Sequence, residues 1–136
     1  MHRHRIGLAI ICAAGLAGLL AAGCTSTPLS SSATITDTFT GTLGVQGSTW
    51  YPFTVGASGG DVTITVTALS PQSTITFGIG VGTPSGSTCL LSSTDDTAQL
   101  NVPMTTTLLA GSYCVDIFDI GNVSQNNTFT MQVLHP

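Results

Sequence analysis

Strict alternation of apolar and polar residues is the dominant pattern of this chain after residue 34. In the clearest segment, Asp61 to Leu69, valine and isoleucine alternate with threonine. A period of two places successive side chains on opposite faces of a β-strand, so one face would enter a core and the other would carry hydroxyls. The same alternation predicts further strands at residues 35–43, 51–55, 75–81, 98–102, 113–118 and 129–133.

Turn-forming residues separate these segments, at positions 58–60, 83–87, 110–112 and 121–127. Cys89 to Leu91 is predicted as a short strand, and Ser92 to Asp96 as a polar loop. No helical period occurs beyond the first 24 residues. About eight short strands without helices predict an all-β domain, built as an antiparallel β-sandwich of two sheets around one core.

Two of the predicted strands contain residues that are uncommon inside a sheet. Pro52 cannot donate to a strand ladder, so it predicts an edge strand or a bulge. Gly78, Gly80 and Gly82 share one face of their strand. We expect either that neighbouring backbone or Trp50 covers this glycine face closely, or that the strand is flat and flexible.

The first 24 residues have the pattern of a bacterial lipoprotein signal. Basic residues precede an apolar run from Ile6 to Ala22, and the run leads through Gly23 into Cys24. The end of the run resembles a lipobox, at which the signal is removed and the new N-terminal cysteine is acylated. The alternative is a transmembrane helix, but the run is at the lower limit of about 17 to 25 residues and is rich in alanine and glycine.

This interpretation divides the chain into a signal peptide at residues 1–23, a lipidated tether at residues 24–34 and a β-sandwich domain at residues 35–136. Two or more acyl chains on Cys24, palmitate among them, would anchor the protein stably. Thr25 follows the cysteine, and by resemblance to Gram-negative lipoproteins it indicates the outer membrane. We therefore expect a cell-envelope location, facing the periplasm or the cell surface.

Removal of the signal peptide would leave a chain without positive side chains. Both arginines lie at positions 3 and 5, lysine is absent, and six aspartates remain, which gives a formal charge of −6. Nucleic-acid binding requires cationic side chains that neutralise phosphate, so we exclude it. Salt bridges to lysine or arginine cannot stabilise the fold, and solubility depends on the 23 threonines and 14 serines that remain.

The cysteines divide cleanly between the signal and the domain. Cys12 leaves with the signal and Cys24 takes lipid, so Cys89 and Cys114 remain in an oxidising compartment. We predict one disulfide between them. The alternative is a pair of free thiols or half of a metal site, but two cysteines with one distant histidine do not form a zinc motif.

A short run near the end of the chain, Leu109-Ala110-Gly111-Ser112-Tyr113-Cys114-Val115, resembles a strand of the bacterial pre-peptidase C-terminal domain. Residues 39–43, 50–55 and 129–133 agree with other strands of that family, and the likeness extends from about Ile35 to Val133. The resemblance implies a sandwich of jelly-roll type, and a role in targeting or surface binding. The cysteine pair and the Asp116 to Asn122 segment depart from the family pattern.

Two ligand hypotheses arise from single residues. Asp95 and Asp96 in a polar loop, with Asp119 at a strand end, could supply oxygen ligands to calcium, although no spaced aspartate loop is present. The alternative, which we favour, is that Asp95 and Asp119 cap turns. Trp50 is the one large aromatic residue that could hold a polysaccharide, but the interpretation that we favour is that it covers glycines or an apolar patch.

Catalysis is not expected from this sequence. A serine, histidine and aspartate set would have to use His135, which we expect near a frayed terminus, and no nucleophile elbow is present. A hydrolase would need His135 packed beside a hydroxyl and a carboxylate. We therefore expect a non-catalytic accessory or interaction module, with a protein or polysaccharide partner. Sheet edges without lysine also predict self-association or addition of a partner strand.

Overall fold

A computed structural model of the protein describes residues 33–136, and within them it contains eight β-strands and no helix. The strands are β1 (Ile35–Leu43), β2 (Ser48–Val55), β3 (Gly60–Ser70), β4 (Phe77–Ser85), β5 (Thr88–Ala98), β6 (Met104–Leu108), β7 (Gly111–Phe118) and β8 (Asn127–His135).

The strands form two four-stranded antiparallel sheets that pack as a sandwich. One sheet, here called sheet A, has the order β1-β8-β3-β6, and sheet B has the order β2-β7-β4-β5. Successive strands therefore cross between the sheets, apart from the β4–β5 hairpin, and this order is that of a jelly roll. The predicted all-β sandwich of jelly-roll type is confirmed.

The core lies between the sheets and is built from the apolar half of each alternating strand. Val62, Ile64 and Val66 of β3 are fully buried, and Val115 and Ile117 of β7 face them from sheet B. Phe77 and Met131 are also fully buried. Because alternate residues of a strand face opposite sides, the threonines between these core positions point away from the core.

The predicted strand boundaries are wrong around β5 and at the end of β4, where residues 83–85 belong to the strand rather than to the predicted turn, and β6 lies in a segment for which no strand was predicted. Ser92 to Asp96 is part of β5 rather than a loop, and residues 99–103 form a loop rather than a strand. β5 pairs only with β4, so it is an edge strand with polar residues on both faces and no apolar alternation. In the loop, Asn101 has φ 63° and its N–H donates to the Val66 carbonyl, so Leu100 packs against the core without belonging to a strand.

Three of the four sheet edges carry features other than lysine that oppose strand pairing. On β1, the carbonyls of Thr40 and Thr42 accept hydroxyl hydrogen bonds from Tyr51 and Thr49 of sheet B. β2 is an edge strand, as Pro52 predicts. On β5, Asp95 lies opposite the core residue Ile79 and places a charge beside the edge, a common obstacle to edge pairing. Self-association through the edges stays a prediction.

Candidate binding surface

The outer face of sheet A is a continuous surface of hydroxyl side chains. Most residues between the core positions are threonines, and in the observed register they stand side by side on adjacent strands. We call this surface the threonine face, and it comprises Thr36, Thr38, Thr40, Thr42, Thr63, Thr65, Ser70, Thr105, Thr107, Thr128 and Thr130.

Four other side chains interrupt the threonine face: Asp61, Ala68, Leu134 and Gln132, which lies between Thr38 and Thr65. Asp61 is its one charged residue, and the Asp61 carboxylate accepts a 2.6 Å hydrogen bond from the hydroxyl of Thr107. Leu134 is its one large apolar residue and is 42% exposed. The face therefore presents hydroxyls and methyl groups with little charge, because each threonine carries one of each.

A shallow groove crosses three strands of this face, with a volume of about 410 Å³. The register builds it from three rows that run across the strands. The backbone of Gly41, Phe129 and Leu69 forms the floor. Two walls flank this floor. One wall consists of Thr40, Thr130 and Ala68, and the other consists of Thr42, Thr128 and Ser70. We call the floor and its two walls the transverse groove.

The hydroxyls of the transverse groove are largely unused by the protein itself. Within residues 33–136, the side chains of Thr40, Thr42, Thr130 and Ser70 make no hydrogen bond. The Thr128 hydroxyl reaches the Ser70 carbonyl at 3.4 Å, which is longer than an ordinary hydroxyl hydrogen bond. The walls can therefore both donate to and accept from a ligand.

The outer face of sheet B is covered instead by its own hairpin. β5 and β7 both flank β4, and two such strands lie about 9.6 Å apart in a flat sheet. The predicted Cys89–Cys114 disulfide is present, and it joins β5 to β7 with a Cα–Cα distance of only 5.9 Å. The end of the β4–β5 hairpin therefore bends over the outer face of the sheet.

The glycine face of β4 makes this bend possible. A Cβ atom at Gly82 would collide with the carbonyl of Leu90, and one at Gly80 would meet the side chain of Leu91. Gly78 lies in the same way under the ring of Phe118. The expectation that backbone covers the glycines is thus confirmed for Gly82, whereas Phe118 and Leu91, not Trp50, cover the other two.

Trp50 has a structural role in the bent hairpin. Its indole N–H donates to the carbonyl of Ser87 at 3.0 Å, which fixes the hairpin end beside β2. The side chain is half-buried. This hydrogen bond fixes the position of the ring, and the role of Trp50 as a polysaccharide-binding residue stays a prediction.

Beneath the hairpin lies a carboxyl group without a full set of partners. Asp116 is 8% exposed, between Trp50 and Gly80 in the register of sheet B, and its buried Oδ1 has no hydrogen-bond partner among the described residues. Burial raises the pKa of Asp116, and the backbone N–H groups of Thr49 and Ile117 offset this only in part. The alternation of β7 alone would place this residue on an exposed face.

We predict that Asp116→Asn stabilises the protein at neutral pH, by about 1 kcal/mol, because it removes a charge that burial disfavours. The pKa of Asp116 is higher in the folded protein than in the unfolded chain. The free energy of unfolding is therefore highest below the pKa that Asp116 has in the unfolded chain, and it decreases as the pH rises through the pKa in the folded protein. Urea denaturation should therefore separate the variant from the native protein at pH 7 and bring them together near pH 3.

Asp96→Asn is the matched control, because Asp96 is exposed and its replacement removes the same charge. It should change the free energy of unfolding little at either pH. An equal gain from both variants would mean that net charge, rather than the burial of Asp116, determines the effect.

The residues considered for calcium do not come together. Among residues 33–136 there is no group of three or more histidine, cysteine, aspartate or glutamate side chains that could hold a metal ion. Asp95 and Asp96 lie in β5, and the Asp95 carboxylate accepts hydrogen bonds from the N–H and hydroxyl of Thr97. Asp119 is placed in the loop that follows β7.

The Asp119 carboxylate organises two loops. It accepts backbone N–H hydrogen bonds from Gln46, Gly121, Asn122 and Val123, at 2.7–3.0 Å. Burial opposes ionisation, but these four donors outweigh it and lower the pKa of Asp119. The side chain thus ties the β1–β2 loop to the β7–β8 loop, the turn-capping role that we favoured over calcium.

His135 is not near a frayed terminus, and that expectation is wrong. The side chain is buried at 2% exposure because β8 lies inside sheet A, between β1 and β3. Its Nε2 lies 3.1 Å from the Asp37 carboxylate, and its Nδ1 lies 3.0 Å from the carbonyl oxygen of Pro136. Both ring nitrogens therefore face oxygen atoms, and neither contacts a hydroxyl.

Cys24 and the predicted signal peptide lie outside the described residues. In residues 33–136, no helix is long and apolar enough to cross a membrane. The chain also matches no protein-family model and no curated protein sequence. Its resemblance to the pre-peptidase C-terminal domain therefore stays a prediction, and its function has to be argued from the surface described above.

Proposed function

We propose that this chain is a lipid-anchored, non-catalytic interaction module of the cell envelope, and that it binds its partner through the threonine face. The observation that carries the proposal is the contrast between the two sheets. Sheet A exposes a broad, almost uncharged hydroxyl surface, whereas the bent hairpin, the disulfide and Trp50 occupy the outer face of sheet B.

The anchoring half of the proposal rests on the sequence. A signal peptide at residues 1–23 and acylation of Cys24, with palmitate among the acyl chains, would place the domain at the membrane surface. The chain from Cys24 to Ile35 can extend at most about 38 Å. The domain would therefore stay close to the envelope and could present the threonine face to a polymer or protein there.

The contacts of His135 support a role without catalysis. A general base must have a nitrogen that can take a proton from a nucleophile. Here Asp37 and Pro136 occupy the two ring nitrogens, and the ring itself is buried against Phe53. The described residues thus provide the carboxylate that a hydrolase would need but no hydroxyl beside His135.

Envelope binding tests the proposed use of the threonine face. Detergent-extracted mature protein would be sedimented with delipidated envelope fragments of its own cell. Thr38→Lys combined with Thr65→Lys places two large charges on the face, and we expect at least about tenfold weaker binding because each ammonium must be accommodated at the interface. Fluorescence of labelled protein in the pellet provides the binding curve.

The matched control is Thr54→Lys combined with Thr94→Lys, which adds the same charge to exposed positions of sheet B. It should bind as the native protein does. The proposal fails if both double variants bind equally well, because the site would then lie elsewhere, or if the native protein does not sediment with the fragments.

A further inference from the structure

The transverse groove is open at both ends, which distinguishes it from a pocket for a small molecule. At one end β1 is the edge of sheet A. At the other end β6 pairs only with Gly60 to Ile64 of β3, so the edge of β3 beside Ala68 and Ser70 carries no neighbouring strand. A linear chain could therefore enter across β1, lie over β8 and leave across β3.

We infer that the transverse groove binds a segment of a linear, neutral polysaccharide. This inference rests on the proposed function, because it names the partner of the threonine face. The Cα atoms of the two walls are about 7 Å apart, the distance between alternate residues of a strand, and the three strands give a length of about 10 Å. The side chains of the walls narrow this spacing, so a single extended polymer chain that lies over the floor would contact both walls.

The chemistry of the walls matches the surface of a sugar. Sugar hydroxyls donate and accept hydrogen bonds, as do the hydroxyls of Thr40, Thr42, Thr130 and Ser70, which have no partner within residues 33–136. Sugar rings also present C–H groups, which can pack on the threonine methyl groups and on Ala68. The backbone of the floor belongs to the β1-β8-β3 ladder and offers few free groups to an extended peptide.

Charge selects the class of polysaccharide. No residue that lines the transverse groove is charged, and the described residues contain six aspartates with no lysine or arginine. An anionic polymer would meet repulsion from the domain and no cation to pair with its carboxylates. A neutral polymer meets neither difficulty.

Affinity electrophoresis tests the inference with two polymers that share one backbone. Native mature protein should be retarded in gels that contain neutral hydroxyethyl cellulose and should not be retarded by anionic carboxymethyl cellulose. Because the inferred ligand is not restricted to one linkage, gels with neutral dextran and neutral mannan complete the set. Retardation as a function of polymer concentration provides the dissociation constant.

Thr40→Val combined with Thr130→Val removes two hydroxyls from one wall of the transverse groove and keeps the β-branched shape that suits a strand. Loss of two hydrogen bonds should weaken retardation by about tenfold. The matched control, Thr54→Val combined with Thr94→Val, removes two hydroxyls from exposed positions of sheet B, outside the threonine face. It should be retarded as the native protein is. Circular dichroism melting should show that both variants fold.

Several outcomes would overturn the inference. These are no retardation by any of the three neutral polymers, equal retardation by the anionic polymer, or equal effects of the groove and control variants. Binding to immobilised poly-L-proline that is lost in the groove variant, without binding to a polysaccharide, would assign the groove to a peptide instead. If the envelope sedimentation above still depends on the threonine face, the inference falls and the proposed function stands.

Discussion

Replacing Cys24 with serine should abolish incorporation of fatty acid into the protein, whereas the same replacement of Cys12 should leave it unchanged. The reason is chemical: acylation of a lipoprotein requires the sulfur that follows the cleavage position, and a serine hydroxyl does not replace it in the lipobox pattern. Cys12 lies within the apolar run and would be removed with the signal peptide. Metabolic labelling with an alkyne analogue of palmitate, followed by gel fluorescence, measures the effect.

The two cysteine variants form a matched pair, since each loses one thiol from the same segment of the chain. Equal labelling of Cys24→Ser and native protein would show that the lipid is attached elsewhere. Loss of labelling in Cys12→Ser alone would place the cleavage position upstream of the predicted one. Either result would contradict the predicted boundary between residues 23 and 24.

Removing the disulfide should have the largest effect on the stability of the domain. The chain-entropy model gives about 3.5 kcal/mol for a bond between cysteines 25 positions apart, a large fraction of the 5 to 15 kcal/mol typical of a domain. In this fold the bond also holds the bent hairpin over β7, where the hydrogen bond from Trp50 to Ser87 and the packing of Leu90 and Leu91 on the glycine face would remain to support it.

The free energy of unfolding from urea titration would measure this effect in a double variant, Cys89→Ala with Cys114→Ala. The native protein treated with a reductant should unfold at the same low urea concentration as the variant. An unchanged midpoint in both cases would mean that the hairpin keeps its position through packing alone. A lower midpoint in the variant than in the reduced protein would indicate packing loss on top of the missing bond.

The sequence predicted the central strands well and the edge strand β5 poorly. Alternation is strong where one face of a strand is buried, as in β3 and β8, because burial requires apolar residues at every second position. β5 has only one neighbour and little core contact, so serine, threonine and aspartate occupy both of its faces. The reverse error, at residues 99–103, arose because Leu100 packs against the core from a loop.

The candidate surface was harder to predict than the fold. Each threonine repeat is visible in the sequence, but the transverse groove combines residues near positions 41, 69 and 129, which only the strand order brings side by side. Sequence reasoning therefore concentrated on Asp95, Asp119 and Trp50, whose side chains have structural contacts. The repeated hydroxyl positions of four strands were the signal that pointed to the surface.

Asp116 illustrates a different limit of prediction. Its place in the alternation of β7 assigns it correctly to the outer face, together with Cys114 and Phe118. Exposure of that face depends on whether another segment covers it, and a hairpin that bends over its own sheet leaves no periodic mark in the sequence. The glycines of β4 were the available clue, since they leave room for such a segment.

The central claim is that a lipid anchor at Cys24 holds the domain outside the cytosol. The most direct test is mass spectrometry of the N-terminal peptide of protein purified from the envelope of the cells that produce it. We expect an N-terminal peptide that begins at Cys24 and carries a diacylglyceryl group on its sulfur. A peptide that retains Met1, or a Cys24 thiol without lipid, would contradict the claim.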